Sequence, residues 1–145
     1  MSSNQEVIWS IVKNTSSFIR KSHGITLTAE PFNVRNLNAK KYSGLANKKA
    51  IDLKLSKDGT ILFSKKRRHL VRKPSKMATT GSLTKHVTNH NVRGAYAIRK
   101  DTEGSFYRPD LSEDAIARYR KLHQAKKRIA PRKAAAKPSQ EVVKA

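Results

Sequence analysis

The sequence predicts an α+β fold: a small, mainly antiparallel sheet covered by an N-terminal helix, with a basic arm and C-terminal helices as an extension. Three observations predict it. Val7, Ile8, Ile11 and Val12 recur at helical spacing near the start of the chain. Two pairs of short strand-like segments follow, each joined by a Gly-containing turn. A second helical stripe, Ala115, Ile116, Tyr119 and Leu122, comes late. The expected division is an α+β core over residues 1–64, an extended basic arm over 65–82, a helical extension over 83–130 and a mobile basic tail over 131–145.

Ser3 and Glu6 stand at capping-box spacing before the first apolar run. Asn14 tolerates the left-handed conformation that ends helices, so the first helix is expected over residues 4–13. Thr15-Ser16-Ser17 favours turns. Phe18-Ile19-Arg20 and Ile25-Thr26-Leu27-Thr28 then read as strands around Ser22-His23-Gly24, and Pro31 ends the second. Residues Ala50 to Leu55 alternate apolar and polar, and Thr60 to Phe63 do so less strictly. Lys57-Asp58-Gly59 joins them, because Asp-Gly accepts the positive φ of hairpin turns. One alternating face implies a sheet covered on one side, with the first helix the nearest cover.

Beyond Phe63 the pattern weakens. Residues 64–82, with Pro74 and Gly81, read as an extended arm or an irregular strand. Val92, Ala95, Tyr96 and Ile98 fit a short helix near residues 89–100, weakened by Gly94 in its interior. Asp101 to Gly104 breaks it. The last helix begins near Asp110, with Asp110 and Glu113 at its start and Lys126-Lys127-Arg128 at its end, the polarity a helix dipole favours. Pro131 is expected to close it, ahead of a low-complexity Ala-, Lys- and Pro-containing tail.

Charge decides the class of partner. The chain has 145 residues, with 32 Lys+Arg against 10 Asp+Glu and a formal net charge of +22. Repulsion on this scale opposes compaction and selects a polyanion. Residues 1–64 carry 10 basic and 4 acidic side chains, whereas residues 65–100 carry 11 basic and no acidic ones. Large aliphatics and phenylalanines run the other way, with 18 of 31 in residues 1–64. The first part can therefore bury a small core, and the rest is expected to lean on a partner for order. The lack of cysteine excludes disulfides, thiolate catalysis and Cys-based zinc sites. No apolar run approaches the ~18 residues of a membrane span. Val7 to Val12 is too short for a signal peptide. The expectation is a soluble intracellular protein bound to nucleic acid, with no membrane, no small-molecule substrate and no cofactor.

The densest run is Lys65-Lys66-Arg67-Arg68-His69-Leu70-Val71-Arg72-Lys73. Runs of this kind bind phosphate and release its condensed counterions, and Arg adds bidentate contacts and base stacking. A solvated face or a nuclear localisation signal looks the same in sequence. The acid-free interval from Gly59 to Lys100 leaves this run no ion-pair partner within itself, which favours direct nucleic-acid contact. The candidate RNA-binding residues are Lys40, Lys41 and Tyr42; Lys48 and Lys49; Lys65, Lys66, Arg67, Arg68, His69, Arg72, Lys73 and Lys76 in the arm; Arg93, Arg99 and Lys100; Tyr107 and Arg108; and Lys126, Lys127 and Arg128. Aromatic side chains among cations can stack on unpaired bases. Tyr42, Tyr96, Phe106 and Tyr107 have that setting, and each could equally be a packing residue. No aromatic signature of an RRM sheet and no KH glycine loop is present.

His86 and His90 stand at i, i+4, as in zinc-binding helices, but no Glu lies between them and no acid within ten residues of either. No metal is expected. His69 and His123 read as RNA-facing or partly packed. No carboxylate pair resembles an acid/base constellation and the glycines are dispersed, so no enzyme is expected.

Several stretches in order resemble one family, the eukaryotic large-subunit ribosomal protein family numbered twenty-eight. They are Trp9, Asn14-Thr15-Ser16-Ser17-Phe18, Glu30-Pro31-Phe32-Asn33 and Tyr42-Ser43-Gly44-Leu45-Ala46-Asn47-Lys48-Lys49. The Asp58-Gly59 hairpin, Lys65-Lys66-Arg67-Arg68, Arg72-Lys73-Pro74 and Tyr107-Arg108-Pro109-Asp110-Leu111 complete the series, over roughly residues 4–130. The resemblance implies a small α+β domain with a basic extension, packed on large-subunit rRNA and beside neighbouring ribosomal proteins in the cytosolic ribosome. It also implies passage through nucleus and nucleolus during assembly, and an architectural role without catalytic residues.

Glu6-Val7-Ile8-Trp9 resembles the opening helix of a nucleolar large-subunit assembly factor with this domain type. That family carries domain cysteines and a long acidic C-terminal region, and this chain has neither. Pro131-Arg132-Lys133-Ala134-Ala135-Ala136-Lys137-Pro138 is like a linker-histone tail in composition, which would suit a chromatin protein. Such a protein needs a compact DNA-reading helix cluster, and the first half here reads as a sheet.

Overall fold

A computed structural model of the chain describes residues 5–70, 73–83 and 90–135, with side chains described over 93–128 in the later helices. Its elements are α1 (Gln5–Thr15), β1 (Ile19–Ser22), β2 (Ile25–Thr28), β3 (Ile51–Leu55), β4 (Ile61–Lys66), β5 (Ala78–Ser82), α2 (His90–Thr102) and α3 (Ser112–Ala135). Single 3-10 turns occupy Arg68–Leu70, Pro74–Lys76 and Pro109–Leu111. The expected α+β class is what forms: a two-stranded ribbon β1-β2 and a three-stranded sheet β3-β4-β5, both antiparallel.

Turn chemistry sets both registers. His23 and Gly24 take φ of 49° and 75°, a two-residue connection with both residues left-handed, and Ser22 pairs with Ile25 across it. At the second hairpin only Gly59 of the Asp-Gly pair is left-handed, at φ 76°, and Leu55 pairs with Ile61. Alternation then sends Ile51, Leu53, Ile61 and Phe63 to one face of the sheet.

The cover on that face differs from expectation. The late stripe of α3 lies on β3. Leu111, Ala115, Ile116 and Tyr119 join Val34, Ile51, Leu53, Ile61, Phe63 and Ile98 of α2 in one core. Residues 1–64 thus supply only half of the core, and the helical segment completes it. The N-terminal helix does not cover this sheet: α1 buries no residue, and its Val7 and Ile11 are more than half exposed. The stripe of α3 already fills the face that α1 would need. Polar contacts instead tie α1 to the loop after β2, where Asn38 Nδ2 donates to the Lys13 carbonyl at 2.7 Å and Glu6 pairs with Lys40. It also runs past Asn14 to Thr15, whose hydroxyl donates back to the Ile11 carbonyl.

Of the two readings of residues 64–82, an extended arm or an irregular strand, the strand forms at the segment's end. The chain passes two 3-10 turns and returns as β5, pairing from Leu62↔Ser82 to Lys66↔Ala78. Thr79 and Thr80 favour a pleated strand, and Ser64 and Thr80 share a hydroxyl–hydroxyl bond of 3.0 Å across it. Gly94, costly to helix propensity, also has a packing role. A Cβ there would lie 2.2 Å from the Tyr119 ring, so its lack of side chain lets α2 and α3 meet. Pro131 does not close α3, which continues to Ala135. A proline removes one helical hydrogen bond without forbidding the turns around it, and the alanines beyond it are strong helix formers. Ser3, Arg72, His86 and the tail beyond residue 135 lie outside the described residues.

Candidate nucleic-acid interface

The cations divide into those that build the fold and those that face outward. Lys66 belongs to the first group. It lies at the end of β4 on the face opposite the core, and the loop following Pro31 closes over it. Only 5% of it is exposed, and its Nζ donates to the carbonyls of Gly44 at 2.7 Å and Asn47 at 3.0 Å. Burial pulls its ammonium below the usual lysine range, and the charge of Glu30 partly offsets this. Glu30 is itself buried, and accepts from Asn33 Nδ2, Ser43 Oγ and the Gly44 amide at 3.0, 3.2 and 3.3 Å. At Gly44 a Cβ would lie 2.0 Å from the Pro31 carbonyl oxygen, so only glycine allows this approach.

Tyr107 and Arg108 form a clasp beside it. The Tyr107 hydroxyl accepts from the Ala50 amide at 3.1 Å and donates to the Lys66 carbonyl. Burial pushes this phenol up, opposed by the backbone bonds and by Arg108. Arg108, left-handed at φ 57°, donates through Nε and Nη2 to both oxygens of Asp110 at 2.9 Å. Its remaining donors reach the carbonyls of Lys49 at 3.0 Å and Lys41 at 2.6 Å. Burial alone would raise the Asp110 carboxyl, but Arg108, with Lys41 behind it, outweighs burial and holds it below the usual carboxylate range.

Around this clasp stand Lys41, Lys49 and Lys65. Lys49 Nζ and Lys65 Nζ lie 5.5 and 6.0 Å from the Tyr107 ring centroid, a cation–π setting. Lys65 also pairs with Asp101 at 3.2 Å, an acid from outside the acid-free interval. Tyr42 is half-buried, with Arg35 and Lys41 at 5.6 and 5.4 Å from its ring centroid. Lys40 pairs with Glu6, and Lys48 is half-buried.

The outward group is at the β4-β5 turn and on α2. Arg67 is exposed, with Nε donating to Thr79 Oγ1 at 2.6 Å. Arg68, His69, Lys73 and Lys76 are exposed beside it, as are Arg93, Arg99 and Lys100 on α2. None of these has an acidic partner among the described residues. Lys127 and Arg128 are exposed near the end of α3, whereas the Lys126 stem lies along the turn at Gly59. The structure therefore gathers most of the sequence-expected cations on its surface, but turns Lys66 and Arg108 inward.

Sequence reasoning missed Arg118, which donates from Nε to the Leu53 carbonyl at 3.0 Å and from Nη1 to the Val34 carbonyl at 2.8 Å. Its position, three residues after Ala115 and four before Leu122, borders the apolar stripe of α3 and was the available signal. Among the described residues, no group of three or more His, Cys, Asp or Glu could hold a metal ion, and no helix is long and apolar enough to cross a membrane.

A small α+β framework, pinned by inward-turned cations and presenting a second set of cations outward, makes this a basic protein with a charged outer surface. Comparison with known proteins gives the family. The pattern of the Ribosomal L28e protein family matches residues 7–125, and the chain belongs to that family. Among its relatives, the large ribosomal subunit protein eL28 of Dictyostelium discoideum is 35% identical over 134 residues, covering 90% of this chain and 97% of that protein. The protein of the same description from Schizosaccharomyces pombe is 30% identical over 122 residues, covering 81% and 89%. That from Caenorhabditis elegans is 37% identical over 81 residues, covering 54% and 62%.

Proposed function

We propose that the chain is a structural constituent of the large subunit of the eukaryotic cytosolic ribosome, where it binds and stabilises folded large-subunit rRNA. Membership in a ribosomal protein family supports the setting. The observation that carries RNA contact is the set of exposed cations on the β4-β5 turn and α2, unpaired by acids among the described residues. Phosphates supply the missing countercharge and release bound counterions as they do so. No step of covalent chemistry is assigned to it; the protein holds RNA and neighbouring ribosomal proteins in place. It works in the cytoplasm, after passing through nucleus and nucleolus during assembly.

In a high-salt sucrose gradient the protein is expected with mature large subunits and whole ribosomes. Its recovery only with nucleolar precursors would make it an assembly factor, and recovery with nucleosomes a chromatin protein. A second expectation separates outward cations from inward ones. Joint replacement of Arg67, Arg68 and Lys73 by Ala should reduce the slope of log affinity against log salt by about 2 to 3, near 0.7–0.9 per phosphate contact. An unchanged slope in a filter-binding titration would show that these side chains are merely solvated. Lys66 is left out of that set because its ammonium is committed to carbonyls.

A further inference from the structure

Of the four aromatic residues set among cations, two are already engaged, and Tyr96 lies exposed on α2 in regular helical backbone. Tyr107 spends its hydroxyl on β-strand backbone, and Tyr42 is half-buried against Arg35. Phe106 is different: 81% of it is exposed, the largest exposure among the described large apolar residues. Its backbone sits at φ 50°, a region that bulky side chains rarely adopt.

The strain is held from both sides. The Phe106 amide donates to the Glu103 carbonyl at 3.1 Å and the Tyr107 amide to the Thr102 carbonyl at 2.8 Å. Ser105 Oγ donates to the Asp101 carbonyl before it, and the Tyr107–Arg108 clasp locks the chain after it. An apolar ring is thus fixed in solvent at a conformational cost, with almost no burial in return. Rare backbone geometry that the surroundings enforce points to a role for the side chain it aims.

From this we propose that Phe106 is a stacking platform for one unpaired RNA base, with Lys49 beside it for the adjoining phosphate. The inference rests on the RNA-binding reading above and names the part of the RNA that this loop takes. Lys49 Nζ stands 3.5 Å from the Phe106 carbonyl oxygen, and Lys41 and Lys65 flank the same clasp. Of the nearby acids, Asp101 and Asp110 are engaged by Lys65 and Arg108 and Glu103 accepts from the Ser112 hydroxyl, while the exposed Lys41 and Lys49 outnumber that last carboxylate and keep the local excess positive. That favours a nucleotide over an apolar protein segment. A protruding ring also needs the open face of a base, which a base stacked within a duplex does not offer. The locked loop reduces the ordering cost of binding.

The test uses the full chain, a short RNA duplex, and the same duplex carrying one unpaired adenosine. Wild type should bind the second more tightly. Phe106→Ala should weaken binding to it by about fivefold to a hundredfold and leave the paired duplex unchanged, while Phe106→Tyr should keep the preference. A spectroscopic arm reads stacking directly. The chain has a single Trp, so Phe106→Trp in a Trp9→Phe background places the only indole at the platform. Its emission should be quenched by the duplex with the unpaired adenosine and not by the paired one. Equal losses on both RNAs, or no loss on either, would overturn the stacking role while leaving RNA binding in place. If wild type binds neither RNA, the RNA-binding reading fails and the platform fails with it.

Discussion

Replacing Lys66 by Met is expected to destabilise the fold by about 2–6 kcal/mol, because it leaves two buried carbonyls without their donor, at about 1–3 kcal/mol each. The methionine stem fills nearly the same space, so the loss isolates the ammonium. It strands the carbonyls of Gly44 and Asn47 and leaves Glu30 without its buried positive neighbour. The neighbouring Lys65→Met removes an ion pair that is partly exposed and should cost only about 0–1 kcal/mol. Urea unfolding of the two variants provides the measurement. Glu30→Gln in the Lys66→Met background should recover part of the loss, as expected for two groups that share one network. Equal midpoints for the two lysine variants would mean that Lys66 is solvated and the network does not form.

The second large effect has an unusual sign. Gly→Ala inside an exposed helix stabilises by about 1 kcal/mol. Gly94→Ala should instead destabilise, by about 1–3 kcal/mol of overpacking beyond that gain. The new methyl would lie 2.2 Å from the Tyr119 ring, and Tyr119 is 1% exposed with nowhere to move. Thermal unfolding measures it. Tyr119→Leu combined with Gly94→Ala should lose less than the sum of the two single changes, since the shorter side chain removes the collision. A stabilised Gly94→Ala would show that α2 and α3 are farther apart than described.

Local signals in the sequence carried much of the fold. Both hairpins were legible because His23-Gly24 and Asp58-Gly59 supply residues that tolerate left-handed backbone, and α3 was legible from its stripe. Long-range choices were not. Nothing local to Val7 or Ile116 says which of two amphipathic helices will take the sheet, and the longer stripe of α3 does so. Charge was the harder problem. Lys66 stands between two cations, and composition counts all three alike. Alternation does separate them: Lys65 shares the parity of Ile61 and Phe63, and Lys66 the other. That parity turns Lys66 toward the loop over residues 31–47, but only the packed loop reveals carbonyls waiting there. The same holds for Tyr42-Ser43-Gly44 and Glu30-Pro31-Phe32-Asn33. These family-like segments meet each other around Glu30, so their first task is to organise the fold.

The clasp made by Arg118 has a consequence for the order of events during synthesis. It ties carbonyls of Val34 and Leu53 to a helix made much later. Ile51, Leu53, Ile61 and Phe63 therefore emerge from the synthesising ribosome with one apolar face bare, and stay so until residues 111–122 have followed. Contacts this distant in the chain close slowly. A nascent chain in that state combines exposed apolar surface with a dense positive charge, the condition under which an unfinished protein meets wrong partners. Burial of that surface is thus complete only once α3 has been made and has packed on the sheet.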